Sequence, residues 1–141
     1  MRIPATLEWA QVQDISALSN SIRDVAGTDL IAVGSGGSFA AAAYSALLHE
    51  AYTERLARAS TPLEAVNQPP TRDTAALLLS AGGTNMDIRQ AAHTLLESDF
   101  SKVLAVTTRP GSPLGQVLQK FGAQAHEFSV PGGRDGFLAT N

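Results

Sequence analysis

Short apolar runs alternate along the chain with segments in which apolar residues recur every three or four positions. Continuous runs are typical of strands buried on both faces, and the three-to-four spacing is typical of helices with one buried face. The predicted strands are Leu30–Val33, a weaker one over residues 55–60, Ala75–Leu79, Val103–Val106 and Ala123–Ser129. The predicted helices are a leading helix with its apolar face on Val12, Ile15, Leu18, Ile22 and Val25, one over Phe39–Tyr52, one with Ile88, Ala91, Ala92, Leu95 and Leu96, and a short one with Leu114, Val117, Leu118 and Phe121.

This alternation predicts a single α/β domain over residues 1–141. Residues 1–27 form its leading helix and residues 28–141 its core, within which the turn-rich stretch Asn67–Asp73 joins two parts. Strands that alternate with helices form a parallel sheet covered on both sides. Ligands bind such sheets beyond the carboxyl ends of the strands, so we expect the chemistry in the loops that follow the strands.

Composition narrows the classes of partner. The chain has 141 residues, 10 Lys and Arg against 13 Asp and Glu, and no cysteine. Thiol chemistry is therefore excluded, and without a basic stripe we expect no nucleic-acid partner. No apolar run reaches the roughly 18 residues of a membrane span, and the N-terminus has no apolar signal region. We therefore expect no membrane partner and a cytoplasmic location.

The first candidate loop is Gly34-Ser35-Gly36-Gly37-Ser38, between a strand and a helix. Glycines let the backbone approach a ligand closely, and the amides at a helix start favour an anion. The loop lacks the Lys-Ser/Thr pair of a triphosphate-binding loop, and Phe39 stands where the dinucleotide fingerprint has Gly or Ala. Glu54, 20 residues beyond Gly34, keeps a nucleotide-binding module open as an alternative. The plainer alternative is a tight turn with Ser38 as N-cap.

The second candidate loop runs from Ser80 to Asp87, again between a strand and a helix. It is rich in small and polar residues: Ser80, Gly82, Gly83, Thr84 and Asn85. Hydroxyl and amide groups there can donate hydrogen bonds to a bound anion. Thr84 and Asp87 have the spacing of a capping box, so the alternative is helix capping alone.

The third candidate loop, Ser129–Phe137, follows the last predicted strand. The planar guanidinium of Arg134 suits a phosphate or carboxylate. Glu127, near the end of that strand, is a candidate general base if it is buried, and an exposed edge-strand carboxylate otherwise. His126 should face away from Glu127 on a strand. The three histidines are too scattered for a metal motif, so we expect no metal site.

In this order and spacing the loops resemble those of the sugar isomerase (SIS) domain family. The first turn, Val33-Gly-Ser-Gly-Gly-Ser-Phe-Ala40, is similar to the family's Gly/Ser turn. The second, Ser80-Ala-Gly-Gly-Thr-Asn-Met-Asp87, resembles Ser-x-Ser-Gly-x-Thr-x-Asp. A third stretch, Val106-Thr-Thr-Arg-Pro-Gly-Ser-Pro-Leu114, resembles Ile-Thr-Asn followed by Ser-x-Leu.

The resemblance implies a three-layer αβα sandwich with a five-stranded parallel, flavodoxin-like sheet. It implies that a phosphosugar or related carbohydrate derivative is bound near a dimer interface, without a metal or organic cofactor. Ser80 would stand where the family has a phosphate-binding serine, with Ser35 and Ser38 in the loop that also reaches the phosphate. Gly82 and Asn85 replace a serine and a threonine of the pattern, and Thr84 would supply the missing hydroxyl.

The last loop is similar to the Glu-x-x-Val-Ala-Ser-Thr-Lys motif of glucosamine-synthase isomerase domains. Glu127 would fall on the catalytic glutamate and Arg134 on the lysine. This resemblance implies an aldose–ketose isomerase in which Glu127 moves a proton between C1 and C2. Because no second acid or base is identified, we prefer a binding function and keep the isomerase and the nucleotide-binding module as alternatives. The family continues with a helix after this loop, so we expect a domain truncated at its C-terminus. We also expect a homodimer or larger homo-oligomer, with close packing at Ala40–Ala43.

Overall fold

The computed structural model describes residues 3–67 and 73–130. Its elements, in chain order, are α1 (Ile3–Gln11), α2 (Ser16–Asp24), β1 (Asp29–Val33), α3 (Gly37–Thr53), β2 (Ala57–Ser60), α4 (Pro62–Val66), β3 (Thr74–Ser80), α5 (Met86–Leu96), β4 (Lys102–Thr107), α6 (Pro113–Lys120) and β5 (Gln124–Glu127). The predicted alternation of strands and helices is confirmed.

The five strands form one parallel sheet in the order β2-β1-β3-β4-β5. This is the strand order of flavodoxin-like folds, in which the chain reverses its direction of winding between β1 and β3. The central strands carry continuous apolar runs because both faces of the sheet are covered. The three-layer αβα arrangement predicted from the sequence is confirmed.

Each face of the sheet packs against its own helices. The larger core joins Ile31, Val33 and Leu78 of the sheet to apolar side chains of α4, α5 and α6, among them Ile88 and Leu118. On the other face, α2 and α3 cover the sheet. Alternate residues along β1, β3 and β4 point to opposite cores, as strand geometry requires.

The leading segment departs from the single predicted helix. It forms α1 and α2, and the apolar side chains Val12 and Ile15 between them are exposed. Asp14 breaks the helix: its Oδ1 accepts a hydrogen bond from the backbone N–H of Ser16 at 2.9 Å. Aspartate stabilises such turns because its short side chain reaches the nearby backbone.

Candidate functional site

The first and second candidate loops follow the adjacent strands β1 and β3 and begin at nearly the same position along the sheet. Val33 of β1 pairs with Leu78 of β3, and Ser35 and Ser80 each lie two residues further along. Both loops therefore stand at the carboxyl edge, at the point where the winding reverses. The structure thus brings the first and second candidate loops side by side.

The first loop needs glycine at two positions for different reasons. Gly34 is buried, and a Cβ there would overlap the backbone carbonyl of Ser38. Gly36 has a φ of 55°, which side chains other than glycine rarely adopt. Gly36 is also the N-cap of α3, so the alternative that placed Ser38 there is wrong. Ser35 and Ser38 are partly exposed.

No side chain among residues 3–67 and 73–130 caps the start of α3. The amides of Ser38 and Phe39 instead donate to the backbone carbonyls of Ser35 and Gly36, both at 3.1 Å. At the corresponding position of α5, Asn85 is the N-cap, and its side chain accepts from the Asp87 amide at 2.7 Å. The predicted Thr84 capping box is therefore wrong by one residue.

The second loop is held by a hydrogen bond within it and packs against the loop between β4 and α6. The Ser80 hydroxyl accepts from the Gly83 amide at 3.1 Å, which leaves the hydroxyl hydrogen to donate elsewhere. Gly83 has a φ of 60°, and a Cβ there would overlap Ser112 and Leu114. Gly82 and Gly83 are buried, whereas Thr84 and Asn85 are exposed. The two glycines therefore shape the loop, and the exposed polar pair lies at its surface.

The loop between β4 and α6 is tied to the second loop. The Thr108 backbone N–H and hydroxyl both donate to the Ala81 carbonyl, at 3.0 and 2.7 Å, and the Leu114 amide donates to the Gly83 carbonyl at 3.0 Å. These two loops are thus hydrogen-bonded to each other, and with the first loop beside them they form the rim of the site. The loop also carries Arg109, an exposed cation that the sequence analysis did not single out.

Glu127 lies on the same row of the sheet. Ser80 pairs with Thr107 of β4, and Thr107 pairs with Glu127 of β5. Two strand spacings put Glu127 about 10 Å from Ser80 along this row. The predicted opposite orientation of its neighbour is confirmed, because His126 contacts Ser21 of α2 on the other face.

The Glu127 carboxylate is held by the start of α6. It accepts hydrogen bonds from the Gly111 amide at 2.6 Å, the Ser112 amide at 2.9 Å and the Ser112 hydroxyl at 2.7 Å. Partial burial raises the pKa of Glu127, but these hydrogen bonds together hold it below its ordinary value. A Cβ at Gly115 would overlap this carboxylate, so a larger residue there would displace the Glu127 side chain.

Glu127 also borders an open cleft of about 280 Å³ between α6 and β5. Gln116 and Gln119 line the same cleft. This volume is near the lower end of the range that small-molecule sites occupy. Within the described ranges, no three His, Asp or Glu side chains gather where they could hold a metal ion. Arg134 lies outside the described residues.

Solved structures share this architecture. NanR of Vibrio vulnificus, complexed with ManNAc-6P, is similar over 92% of this chain and 48% of its own, with a TM-score of 0.69 and 17% identity. Escherichia coli CFT073 c3406, in complex with A5P, is similar over 89% and 66%, with a TM-score of 0.69 and 19% identity. Tagatose-6-phosphate ketose/aldose isomerase of Escherichia coli is similar over 83% and 35%, with a TM-score of 0.63 and 14% identity. The chain has the SIS fold.

Sequence comparison does not extend this result. No family model matches the sequence, and no curated protein matches it. At these low identities the SIS likeness concerns the fold alone. The chain spans between 35% and 66% of the length of the three similar structures.

Within the SIS fold, a buried side chain to which sequence reasoning gave no role is Ser112. It is fully buried, caps α6 by accepting from the Gly115 amide at 2.9 Å, and donates to Glu127. Its sequence signal was Ser112-Pro113, a serine followed by proline at the first helical position. No local sequence pattern indicated its pairing with Glu127, 15 residues away.

None of the helices in the described residues is both long and apolar enough to cross a membrane.

Proposed function

We propose that this SIS domain binds a phosphorylated sugar or a similar anionic carbohydrate at the carboxyl edge of β1 and β3. The observation that carries the proposal is the register of Val33 with Leu78, which places the Gly34–Ser38 and Ser80–Asn85 loops side by side. Backbone amides and hydroxyl groups from two adjacent loops can surround one anion. Complexes of similarly folded proteins with ManNAc-6P and A5P support this ligand class.

Within this site we assign Ser80, Thr84 and the first loop to the anion, and Arg109 and Arg134 to additional positive charge. The Ser80 hydroxyl hydrogen is available because its oxygen accepts from Gly83. Thr84 is exposed beside it. A charged ligand of this kind does not cross membranes unaided, which supports a cytoplasmic location. We also propose a homodimer.

A thermal-shift comparison tests the proposal. Hexose phosphates, amino-sugar phosphates and a heptulose phosphate should raise the melting temperature, and the unphosphorylated sugars should not, because only ligands that prefer the folded state stabilise it. The Ser80→Ala substitution should weaken binding about tenfold or more, since it removes a hydrogen bond to a charged group. Ser98→Ala, two residues beyond the C-terminal end of α5, is the matched control. An unchanged melting temperature with every sugar phosphate would overturn the proposal.

An isomerase is the second candidate, and the cleft beside Glu127 is the observation that favours it. Glu127→Gln should then abolish interconversion of aldose and ketose phosphates while preserving affinity. The hydrogen bonds to Glu127 favour a positioning role for this carboxylate instead. Wild-type protein that interconverts none of a panel of sugar phosphates would count against the isomerase. A nucleotide-binding module would instead be stabilised by nucleotides and by no sugar phosphate.

A further inference from the structure

The open cleft between α6 and β5 has room for a small ligand. Its volume is about 280 Å³. Gly115 of α6, Ala123 and Ala125 of β5 and the turn before it line the cleft with no more than a methyl group each. Because these residues are small, a ligand of a few heavy atoms can approach the backbone there. No Lys, Arg or His is among the described residues that line the cleft.

The cleft is separate from the proposed sugar-phosphate site. That site uses the Gly34–Ser38 and Ser80–Asn85 loops, which follow the inner strands β1 and β3. None of the residues that line the cleft belongs to either loop, and β5 is the edge strand of the sheet. A ligand in the cleft therefore occupies a second place on the molecule.

Glu127 gives the cleft a negative charge. Its carboxylate accepts only from neutral donors, which are the Gly111 amide and the amide and hydroxyl of Ser112. Partial burial raises the pKa of Glu127 and these hydrogen bonds hold it below its ordinary value, so the group is ionised at neutral pH. Over residues 3–67 and 73–130, no cationic side chain pairs with it. A partly buried charge without a counter-ion favours a cationic ligand.

Three acceptor groups at the cleft have unused capacity. A carboxylate can accept about four hydrogen bonds, and that of Glu127 accepts three. Gln116 donates from Nε2 to the Gly111 carbonyl at 3.2 Å, and nothing in the described part of the chain donates to its Oε1. The Gly111 carbonyl keeps a second lone pair. A primary ammonium group has three donors and a positive charge, so it matches these acceptors in number and in sign.

We propose that this cleft binds the primary ammonium group of a small organic ligand through Glu127, Gln116 and the Gly111 carbonyl. The short alkyl part of such a ligand would lie along Gly115 and Ala125. An anionic ligand would face the Glu127 carboxylate. A divalent metal ion would need more oxygen ligands, and no three His, Asp or Glu side chains gather within the described ranges. The proposal goes beyond the sugar-phosphate site and does not depend on it.

An NMR titration of the backbone and side-chain amides tests the proposal. Propylammonium chloride, added at constant chloride concentration and pH 7, should shift the signals of Gly111, Ser112 and the Gln116 side chain, with a Kd on the order of 1–10 mM. Tetramethylammonium carries the charge without N–H donors, and 1-propanol carries a donor without the charge. Both should bind at least tenfold more weakly. Equal shifts with tetramethylammonium, or no shift at these signals up to about 50 mM propylammonium, would overturn the proposal.

Two pairs of variants assign the binding to the cleft. Glu127→Gln should weaken propylammonium binding at least tenfold, and Glu8→Gln, an exposed carboxylate on α1, should not change it. Because Glu127 also anchors α6, a second variant keeps the carboxylate. Ala125→Leu fills the cleft and should weaken binding at least tenfold, whereas Ala51→Leu, on the exposed surface of α3, should not. Circular dichroism verifies that the variants fold. Wild-type affinity in Ala125→Leu would overturn the proposal.

The same spectra keep this proposal distinct from the sugar-phosphate site. A sugar phosphate should shift the amides of the first and second loops and leave the side-chain signals of Gln116 and Gln119 unchanged. A chain that responds to propylammonium and to no sugar phosphate keeps the cleft and loses only the proposed function. A sugar phosphate that displaces propylammonium would overturn the cleft as a separate cation site.

Discussion

At the scale of single residues, the rim depends on glycines that leave no room for a side chain. Gly34→Ala should destabilise the fold by about 1–3 kcal/mol, because its Cβ would overlap the Ser38 carbonyl, which is backbone and cannot rotate away. Gly27→Ala is the control, since a Cβ there meets nothing within 4 Å. Urea unfolding measures the free energy of unfolding of both variants. Equal stability of the two would show that the first loop accommodates a methyl group.

Glu127 offers a second test at this scale. Glu127→Gln should cost about 1–2 kcal/mol at neutral pH, because the amide group of Gln cannot accept from both Gly111 and Ser112. The pKa of Glu127 is lowered in the folded protein, so its contribution is complete above the ordinary carboxyl pKa of 4.5 and is lost as the pH falls through the folded pKa.

Urea unfolding of this variant and the wild type at pH 7 and pH 3.5 measures the effect. The difference between the two proteins should shrink at the lower pH. Glu8→Gln, on the exposed surface of α1, should have little effect at either pH. A variant as stable as wild type at pH 7 would contradict the role of Glu127 as an anchor for α6.

At the scale of elements, a polar contact fixes α2 on the edge of the sheet. The Ser21 hydroxyl donates to Gln124 Oε1 at 2.7 Å, so His126 Nε2, at 3.0 Å from the hydroxyl oxygen, must carry a hydrogen and donate to it. Lys102 of β4 pairs with Asp24 of α2 at 2.9 Å. Burial, and then the positive charge of Lys102, lower the pKa of His126.

Attachment of α2 should therefore weaken in mild acid. A lowered histidine pKa means that the unfolded chain binds more protons, so this contribution is complete above the ordinary pKa of 6.5 and declines as the pH falls below it. Protection of α2 amides from hydrogen exchange, corrected for the intrinsic effect of pH, should fall between pH 7.5 and 5.5. The free energy of opening of α2 should change by less than about 1 kcal/mol, because solvent screens the charge of the partly exposed His126 ring. His126→Gln should abolish it and His93→Gln should not; equal behaviour of both variants would contradict this account.

The sequence predicted elements wherever burial alone decides them. The runs around Ile31, Leu78 and Leu104 are buried on both faces and therefore apolar throughout, and all three strands are confirmed. Local chemistry was harder to interpret. Thr61 and Glu64 form a capping box with Pro62 at the start of α4, a signal present in the sequence but not used.

Contacts between residues far apart in the chain could not be predicted from the sequence. The periodicity from Val12 to Val25 continues through the break at Asp14, so it gave one helix where the chain forms two. The pairing of Ser112 with Glu127 depends on the register of β4 and β5, which no local pattern encodes. For the same reason the types of residue in the site could be predicted from the sequence, but the hydrogen bonds between its loops could not.

At the scale of the whole molecule, the proposed homodimer would make folding and assembly one equilibrium. A dimer that unfolds to two separate chains becomes more stable as its concentration rises, by about 1.4 kcal/mol for each tenfold increase. For two chains of 141 residues this corresponds to a rise of about 2–3 °C in melting temperature. Calorimetry at roughly 5, 50 and 500 μM measures this rise in melting temperature, because such concentrations are on the order of typical dimer affinities. A wild-type melting temperature that stays constant over this range would contradict the proposed homodimer.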